Sequence, residues 1–414
     1  MPNPYSSRPT RWPAPVRALA NRNFQIYFVG QGISTLGKWV QQVALAWLAY
    51  HLTGSAVLLG LITFLSLAPQ LLIGPLAGAW IDRHDKRRLL IGVQVVLVIQ
   101  SLTLAVITQL GWIDGASIAG MALLLGLLNA VETPLRQALI GSFVDDPADL
   151  PNALVLNAML INAARFVGPP LAGTLIAVTS EAGCFLLTAF AYMGLMLGLV
   201  KVKATASPKA TGSTSQVFRE GVAYLWRTVS VRQLMISVIM VNLLASCYAA
   251  LLPILAKTVY AGDARILGWL WGAAGAGAFV ATLILAFSGS LSRLRYFTDG
   301  GALVCGFALL GVFLAGSLPM ALFGLALLGF GITMSNVSTN MQLQSGAPSS
   351  LRGRVVAFYI AMRFGFEAIG GMLAGLVAAR FGAPATLGIA GGMLLLYLIV
   401  SIGGRYLEHR SLNR

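Results

Sequence analysis

Residues 74–90 read GPLAGAWIDRHDKRRLL. To the left an apolar run ends in small residues, and to the right a new apolar run begins at Leu89. Between them stand Asp82, Arg83, His84, Asp85, Lys86, Arg87 and Arg88, in a chain that is only 10% charged. A turn this short cannot cross a bilayer, so it joins two membrane-spanning helices on one side. Its excess of Lys and Arg places it on the cytoplasmic side, where cationic loops are retained.

The rest of the composition agrees. The chain has 414 residues and is 57% hydrophobic, whereas a soluble domain carries about 25% charged residues. Apolar runs long enough to cross a core of about 30 Å cover 24–50, 56–81, 89–110, 117–143, 152–178, 183–200, 234–257, 267–288, 297–316, 318–343, 355–379 and 385–404. The fold class expected is therefore an all-α integral membrane protein of about twelve transmembrane helices. Residues 1–23 read as a cytoplasmic tail, 24–200 as a first six-helix bundle and 233–404 as a second, with a further tail at 405–414. Residues 201–232 form a polar linker, whose later part, 216–232, has the helical spacing of an amphipathic surface helix. The net charge of +15 does not mark a nucleic-acid partner, because the cations fall in alternate gaps between apolar runs, which is topology. Cys184, Cys247 and Cys305 are isolated in apolar runs, and His51, His84 and His409 are scattered, so neither a metal site nor a disulfide framework is expected. No Gly-rich phosphate loop ending in Lys-Ser or Lys-Thr occurs, so the chain has no ATP motor of its own; no cofactor and no enzymatic activity are expected.

The two halves repeat. LAGTLIA at 171–177 matches LAGLVAA at 373–379, and at the same offset Gly168 falls on Gly370 and Arg165 on Glu367. Asn129 and Asn336 open similar stretches in the fourth and tenth runs. Two six-helix halves are expected from this.

The spacing Gly78-x-x-x-Asp82-Arg83-x-x-x-Arg87-Arg88 resembles the loop signature between the second and third helices of major facilitator superfamily transporters. The wording LAGAWIDRHDKRRLL looks like the branch of bacterial siderophore and macrolide exporters. RFVGPPLAG, beginning at Arg165, resembles a fifth-helix pattern of that branch, and Glu132 resembles an acidic position of many of its exporters, with Glu-Thr-Pro where Asp-Asn-Pro is usual. The resemblance implies a secondary transporter of the bacterial inner membrane, with both termini cytoplasmic, working as a monomer by rocking of its halves. It also implies that Gly78, Asp82, Arg83 and Arg87 form a latch at the inner face. The second-half counterpart of this loop, GSLSRLR at 289–295, lacks the Asp, so no second latch is expected.

Ionisable residues inside spans are costly and are candidates for function by default. Six qualify: Lys38, Glu132, Arg136, Arg165, Arg363 and Glu367. Arg165 and Glu367 occupy equivalent places near mid-membrane, suited to pairing across a central cavity and parting during transport. Arg363 lies four residues before Glu367, on the same helical face, and offers either a local neutralising pair or a substrate contact. Glu132 precedes Arg136 by four, the favourable order, with Arg136 free to snorkel to the cytoplasmic interface. Lys38, with Trp39, Gln41 and Gln42, forms a polar patch on the first helix that either attracts an anion or ties helices together. Asn157, Asn162, Asn242, Asn336 and Asn340 are further candidates to line a cavity. The function expected is proton-coupled export of a small amphipathic or anionic molecule, with Glu132 or Glu367 carrying the proton and membrane lipids as surroundings. The alternatives are a lipid or lysolipid flippase on the same fold, and a non-transporting membrane sensor or scaffold.

Overall fold

The computed structural model describes residues 14–81, 84–144, 146–202, 227–287, 293–348 and 351–412, and among them the regular structure is helical throughout. Twelve long helices follow in order: α1 (Arg22–Thr53), α2 (Ala56–Ile81), α3 (Lys86–Gln109), α4 (Gly115–Ile140), α5 (Leu150–Val178), α6 (Glu181–Lys201), α7 (Val229–Val259), α8 (Ala264–Phe287), α9 (Leu294–Phe313), α10 (Leu318–Gly346), α11 (Arg352–Phe381) and α12 (Ala383–Leu412). Local chemistry fixes where they start and stop. Asp85 caps α3 by accepting from the N–H groups of Arg87 and Arg88 at 3.0 and 3.1 Å. Asp114 caps α4 through the Ser117 N–H at 2.8 Å, and Ser180 caps α6 through Gly183. These contacts satisfy amide donors that helix starts otherwise leave open. Gly54, at φ 62°, closes α1 in the left-handed conformation that glycine adopts without strain.

Eleven of these helices are long and apolar enough to cross a membrane. The exception among the expected twelve is α1, whose apolar stretch is diluted by Gln25, Gln31, Lys38, Gln41 and Gln42. Gln31 and Gln41 are buried among neighbouring helices and Lys38 is half-buried, so part of this load faces protein.

The repeat seen in the sequence is a repeat of packing. Within the first six helices α1 packs on α6, α2 on α4 and α3 on α6; within the last six α8 packs on α10 and α9 on α12. Two seams join the sets, α2 against α11 and α5 against α8, and they are equivalent. On the first, a Cβ at Gly60 would lie 2.8 Å from the Gly371 carbonyl; on the second, one at Gly268 would lie 2.6 Å from the Pro169 carbonyl. Small residues let the backbones approach this closely. Gly126 and Gly329 are likewise equivalent, pressing α4 on Leu65 and α10 on Ala274. Asn129 follows the first glycine by three residues and Asn336 follows the second by seven, so these two asparagines lie one helical turn apart in depth rather than in register. Gly329→Leu is expected to abolish the monodisperse peak on size-exclusion chromatography, because the side chain has only the Ala274 backbone to displace.

The ends of the molecule differ. One end, here the cationic end, carries Lys86, Arg87, Arg88, Lys201, Arg293, Arg295, Arg352 and Arg354. Toward the opposite, far end a single apolar core runs through both sets of helices, from Val43 and Leu48 of α1 to Leu251 and Leu255 of α7. Toward the cationic end the core splits in two. One part holds Phe24, Leu135, Phe143 and Leu199 from the first six helices, and the other holds Val231, Leu343, Val355 and Tyr359 from the last six. The halves are thus closed together at the far end and parted at the cationic end.

The described part of the expected N-terminal tail is not free. Residues Ala14–Ala20 form a 3-10 helix docked on the start of α5, where Arg17 pairs with Asp149 and the Ala18 N–H donates to Asn152 Oδ1 at 2.9 Å. At the other terminus α12 continues to Leu412, through most of the expected tail. The expected amphipathic helix at 216–232 lies mostly outside the described residues, as do residues 289–292 of the second-half loop.

Candidate functional site

The six ionisable residues fall into two groups. The first lies wholly within the first six helices. Glu132 of α4 is 2% exposed. Its Oε1 accepts from Arg136 Nη1 at 3.3 Å and from Gln94 Nε2 of α3 at 3.4 Å, while Oε2 lies 3.7 Å from Lys38 Nζ of α1. Lys38 in turn donates to Asn129 Oδ1 at 2.7 Å. Three helices are thereby tied around one carboxylate, α1 by Lys38 and α3 by Gln94, with Arg136 beside it on α4 itself. Arg136 does not snorkel to the interface. It is buried, because the Glu132 carboxylate one turn away is a stronger partner than distant water.

The expected polar patch around Lys38 does not exist as a patch. Trp39 stands about 100° round α1 from Lys38, and the two glutamines are separated by what packs on them. Gln41 turns into the bundle, where it donates to Gln100 at 2.6 Å and accepts from Tyr192 at 3.0 Å, while Gln42 is exposed. Trp39 seats on Gly168 of α5 and meets Trp271 of α8 edge-on at 5.4 Å, across the halves.

The second group spans the halves. Arg165 of α5 shares an electrostatic neighbourhood with Tyr248 on α7 and with Glu367 and Arg363 of α11. Arg165, Arg363 and Glu367 are all half-buried. No ion pair within 4.0 Å joins them among the described residues, in contrast to the direct contacts of Glu132. Arg363 lays its guanidinium over the Phe364 ring at 4.9 Å. Tyr248 went unnoticed in the sequence because a tyrosine in an apolar run looks like packing. The signal lies in its surroundings: α7 makes π-helical turns at Val241–Ala245 and Leu255–Val259, on either side of it, and such turns concentrate at functional sites.

The far end carries its own cross-half ties. Tyr50 Oη and Thr258 Oγ1 lie 2.9 Å apart, joining α1 to α7, and Lys257 Nζ sits 6.0 Å from the Tyr50 ring centre. Removing the Tyr50 hydroxyl forfeits about 1 kcal/mol. Tyr50→Phe is therefore expected to raise, about fivefold, the rate at which an impermeant maleimide on the far side labels a cysteine placed at Ala249.

The asparagines are mostly ties rather than cavity lining. Asn242 and Asn336 exchange amide hydrogen bonds at 3.0 and 3.2 Å, Asn157 accepts from Tyr27 at 3.4 Å, and Asn340 accepts from Gln344 at 3.1 Å. Of the expected latch, Gly78 lies in α2, while Asp82 and Arg83 lie outside the described residues. Arg87 donates to the carbonyls of Leu199 and Val200 at 2.8 and 2.6 Å. It thus closes the end of α6 within its own half, rather than reaching across.

Comparison with known proteins fits this geometry. The staphyloferrin A transporter of Staphylococcus aureus is 29% identical over 375 residues, covering 88% of this chain and 92% of that one. The multidrug efflux pump Tap of Mycolicibacterium fortuitum is 25% identical over 382 residues, covering 88% and 91%. Among solved structures, a bacterial homologue of the human lysosomal transporter Spinster, inward-facing and unoccupied, aligns with a TM-score of 0.71 at 13% identity, covering 94% of this chain and 97% of that one. The human organic anion transporter MFSD10 aligns at 0.64 and 17%, covering 94% and 100%. The model of the transmembrane secretion effectors matches residues 13–413, so the chain belongs to that family of major facilitator transporters.

Proposed function

We propose that this transporter exports small anionic organic molecules from a bacterial cell in exchange for protons, as a monomer with both termini in the cytoplasm. The carrying observation is that Arg165 of one half lies within electrostatic reach of Tyr248 and Glu367 of the other, at a depth between a closed far end and a parted cationic end. Substrate sites in such transporters lie between the halves near mid-membrane. With the cationic end taken as cytoplasmic, the state described is the one that loads from inside the cell.

The charges support an anionic cargo. Arg165 and Arg363 outnumber Glu367 in the cross-half group, and Trp39 and Trp271 offer aromatic edges beside it. In the first group Glu132 is engaged directly by Lys38, Arg136 and Gln94, which makes it a structural anchor and leaves Glu367 to exchange protons. The test is accumulation into inverted vesicles driven by a pH gradient, with carboxylate siderophores, macrolides and dyes as cargo. Gradient-dependent uptake of the anionic compounds supports the proposal; uptake indifferent to the gradient overturns proton coupling.

One observation favours a second reading. An apolar crevice of about 500 Å³ lies between α5 and α8, walled by Phe166, Leu171, Trp269 and Leu322, and offers a lateral opening of the kind a lipid flippase needs. Scrambling of labelled lipid in vesicles, with no transport of soluble compounds, would decide for it.

A further inference from the structure

We infer that protons reach Glu367 through the interior of the C-terminal half, by a route separate from the substrate cavity; this rests on the proton-coupled reading above. At the cationic end a cavity of about 260 Å³ opens among α7, α9, α10 and α12, with room for several waters. Its walls include Ser230 and Ser237 of α7, Thr298 of α9, Gln342 of α10 and Ser401 of α12, with Arg295 and Asp299 also lining it.

A polar track leads inward from its floor. Gln342 Nε2 donates to Thr298 Oγ1 at 2.9 Å, and Thr298 lies 3.3 Å from the Thr339 hydroxyl. One turn further along α10 is Asn336, bonded to Asn242, which accepts from Ser246 at 3.3 Å. The Tyr359 hydroxyl donates to the Asn336 carbonyl at 2.9 Å. Tyr359, Arg363 and Glu367 then follow at four-residue spacing on one face of α11, where water carries the proton past the guanidinium, which keeps its own. Ser338 Oγ, buried on the same stretch of α10, lacks a partner, as a hydroxyl placed to bond a transient water would. So many buried polar groups inside an apolar bundle are expensive unless water or function uses them.

The N-terminal half is built differently. There the tie between α1 and α4 is made by Lys38 with Asn129 and Glu132, and Arg136 stands beside it. These direct contacts commit its polar groups to one carboxylate. In the C-terminal half the corresponding tie, α7 to α10, is a neutral pair of amides. The titratable and charged groups facing Glu367 are Arg363 on its own helix, Arg165 on α5 and Tyr248 on α7; α2, packed on the same helix, contributes none.

The experiment uses the full-length protein in inverted vesicles, with two readouts: uptake driven by a pH gradient, and exchange of labelled for unlabelled cargo at equal pH. Asn336→Leu is expected to slow gradient-driven uptake at least tenfold while exchange stays within about twofold. Because that variant sits in the core, a second test adds a methanethiosulfonate reagent to folded Ser230→Cys protein and compares each sample before and after labelling. Complete labelling is expected to slow gradient-driven uptake severalfold and to spare exchange. Unchanged gradient-driven uptake after complete labelling overturns the route, and so does equal loss of both readouts, which marks a structural block. Wild-type uptake that ignores the gradient instead overturns the proton-coupled reading itself.

Discussion

Glu132→Gln is expected to destabilise the protein by about 3–5 kcal/mol, the usual consequence of removing one partner from a buried ion pair, and to lower the melting temperature in detergent by several degrees. The wild-type carboxylate is 2% exposed and takes Arg136 and Gln94 on one oxygen and Lys38 near the other. A neutral amide leaves Lys38 and Arg136 facing each other in an apolar bundle with nothing to balance them. Most of the cost is this stranded charge rather than lost hydrogen bonds, so deleting a cation should return part of it. Lys38→Met alone leaves Glu132 with Arg136 and is expected to be mild. The double variant Lys38→Met/Glu132→Gln should melt above Glu132→Gln. A Glu132→Gln protein that melts within a degree of wild type would mean the carboxylate is already protonated, and the proton role would move to it.

The sequence reached this architecture easily and the sites unevenly. Hydropathy and charge alternation are one-dimensional signals, and they placed all twelve helices, including α1, which is not apolar enough to stand out alone. The offset that puts Arg165 on Glu367 was visible because the seams α5/α8 and α2/α11 demand the same small residues at the same places. What the sequence could not carry was which neighbours cover each side of a helix. Lys38, Gln41 and Gln42 share one side of α1 by spacing, yet Gln41 is buried against Gln100 and Tyr192 while Gln42 is exposed. Arg136 had a plausible escape to the interface and instead stays with Glu132. Tyr248 and the Tyr50–Thr258 tie depend on which helices of opposite halves meet, which no local pattern records.

Glu367→Gln is expected to cut gradient-driven transport by about 100-fold, the order lost when a positioned proton-transfer group is removed, while exchange of cargo at equal pH stays within about threefold. The reason lies in who shares Arg165. On the proposed mechanism an ionised Glu367 would compete with an anionic cargo for Arg165 and Arg363, and a protonated one would leave both guanidinium groups to the cargo. Proton and anion would then act on one electrostatic cluster that belongs to both halves, so the state of Glu367 bears on whether the halves draw together. Glutamine mimics the protonated side chain permanently: cargo binds and exchanges, but nothing resets the cluster when the proton leaves. Glu367→Asp, which titrates but reaches less far from α11, should keep a measurable fraction of the gradient-driven rate. The ordering of the three proteins separates a titrating role from a packing role, because a cavity left by shortening would harm Asp more than the near-isosteric Gln. If Gln transports under the gradient as well as wild type, Glu367 is a packing residue and Arg165 holds cargo without it. If Gln loses exchange along with gradient-driven uptake, the carboxylate is part of the cargo site rather than the coupling.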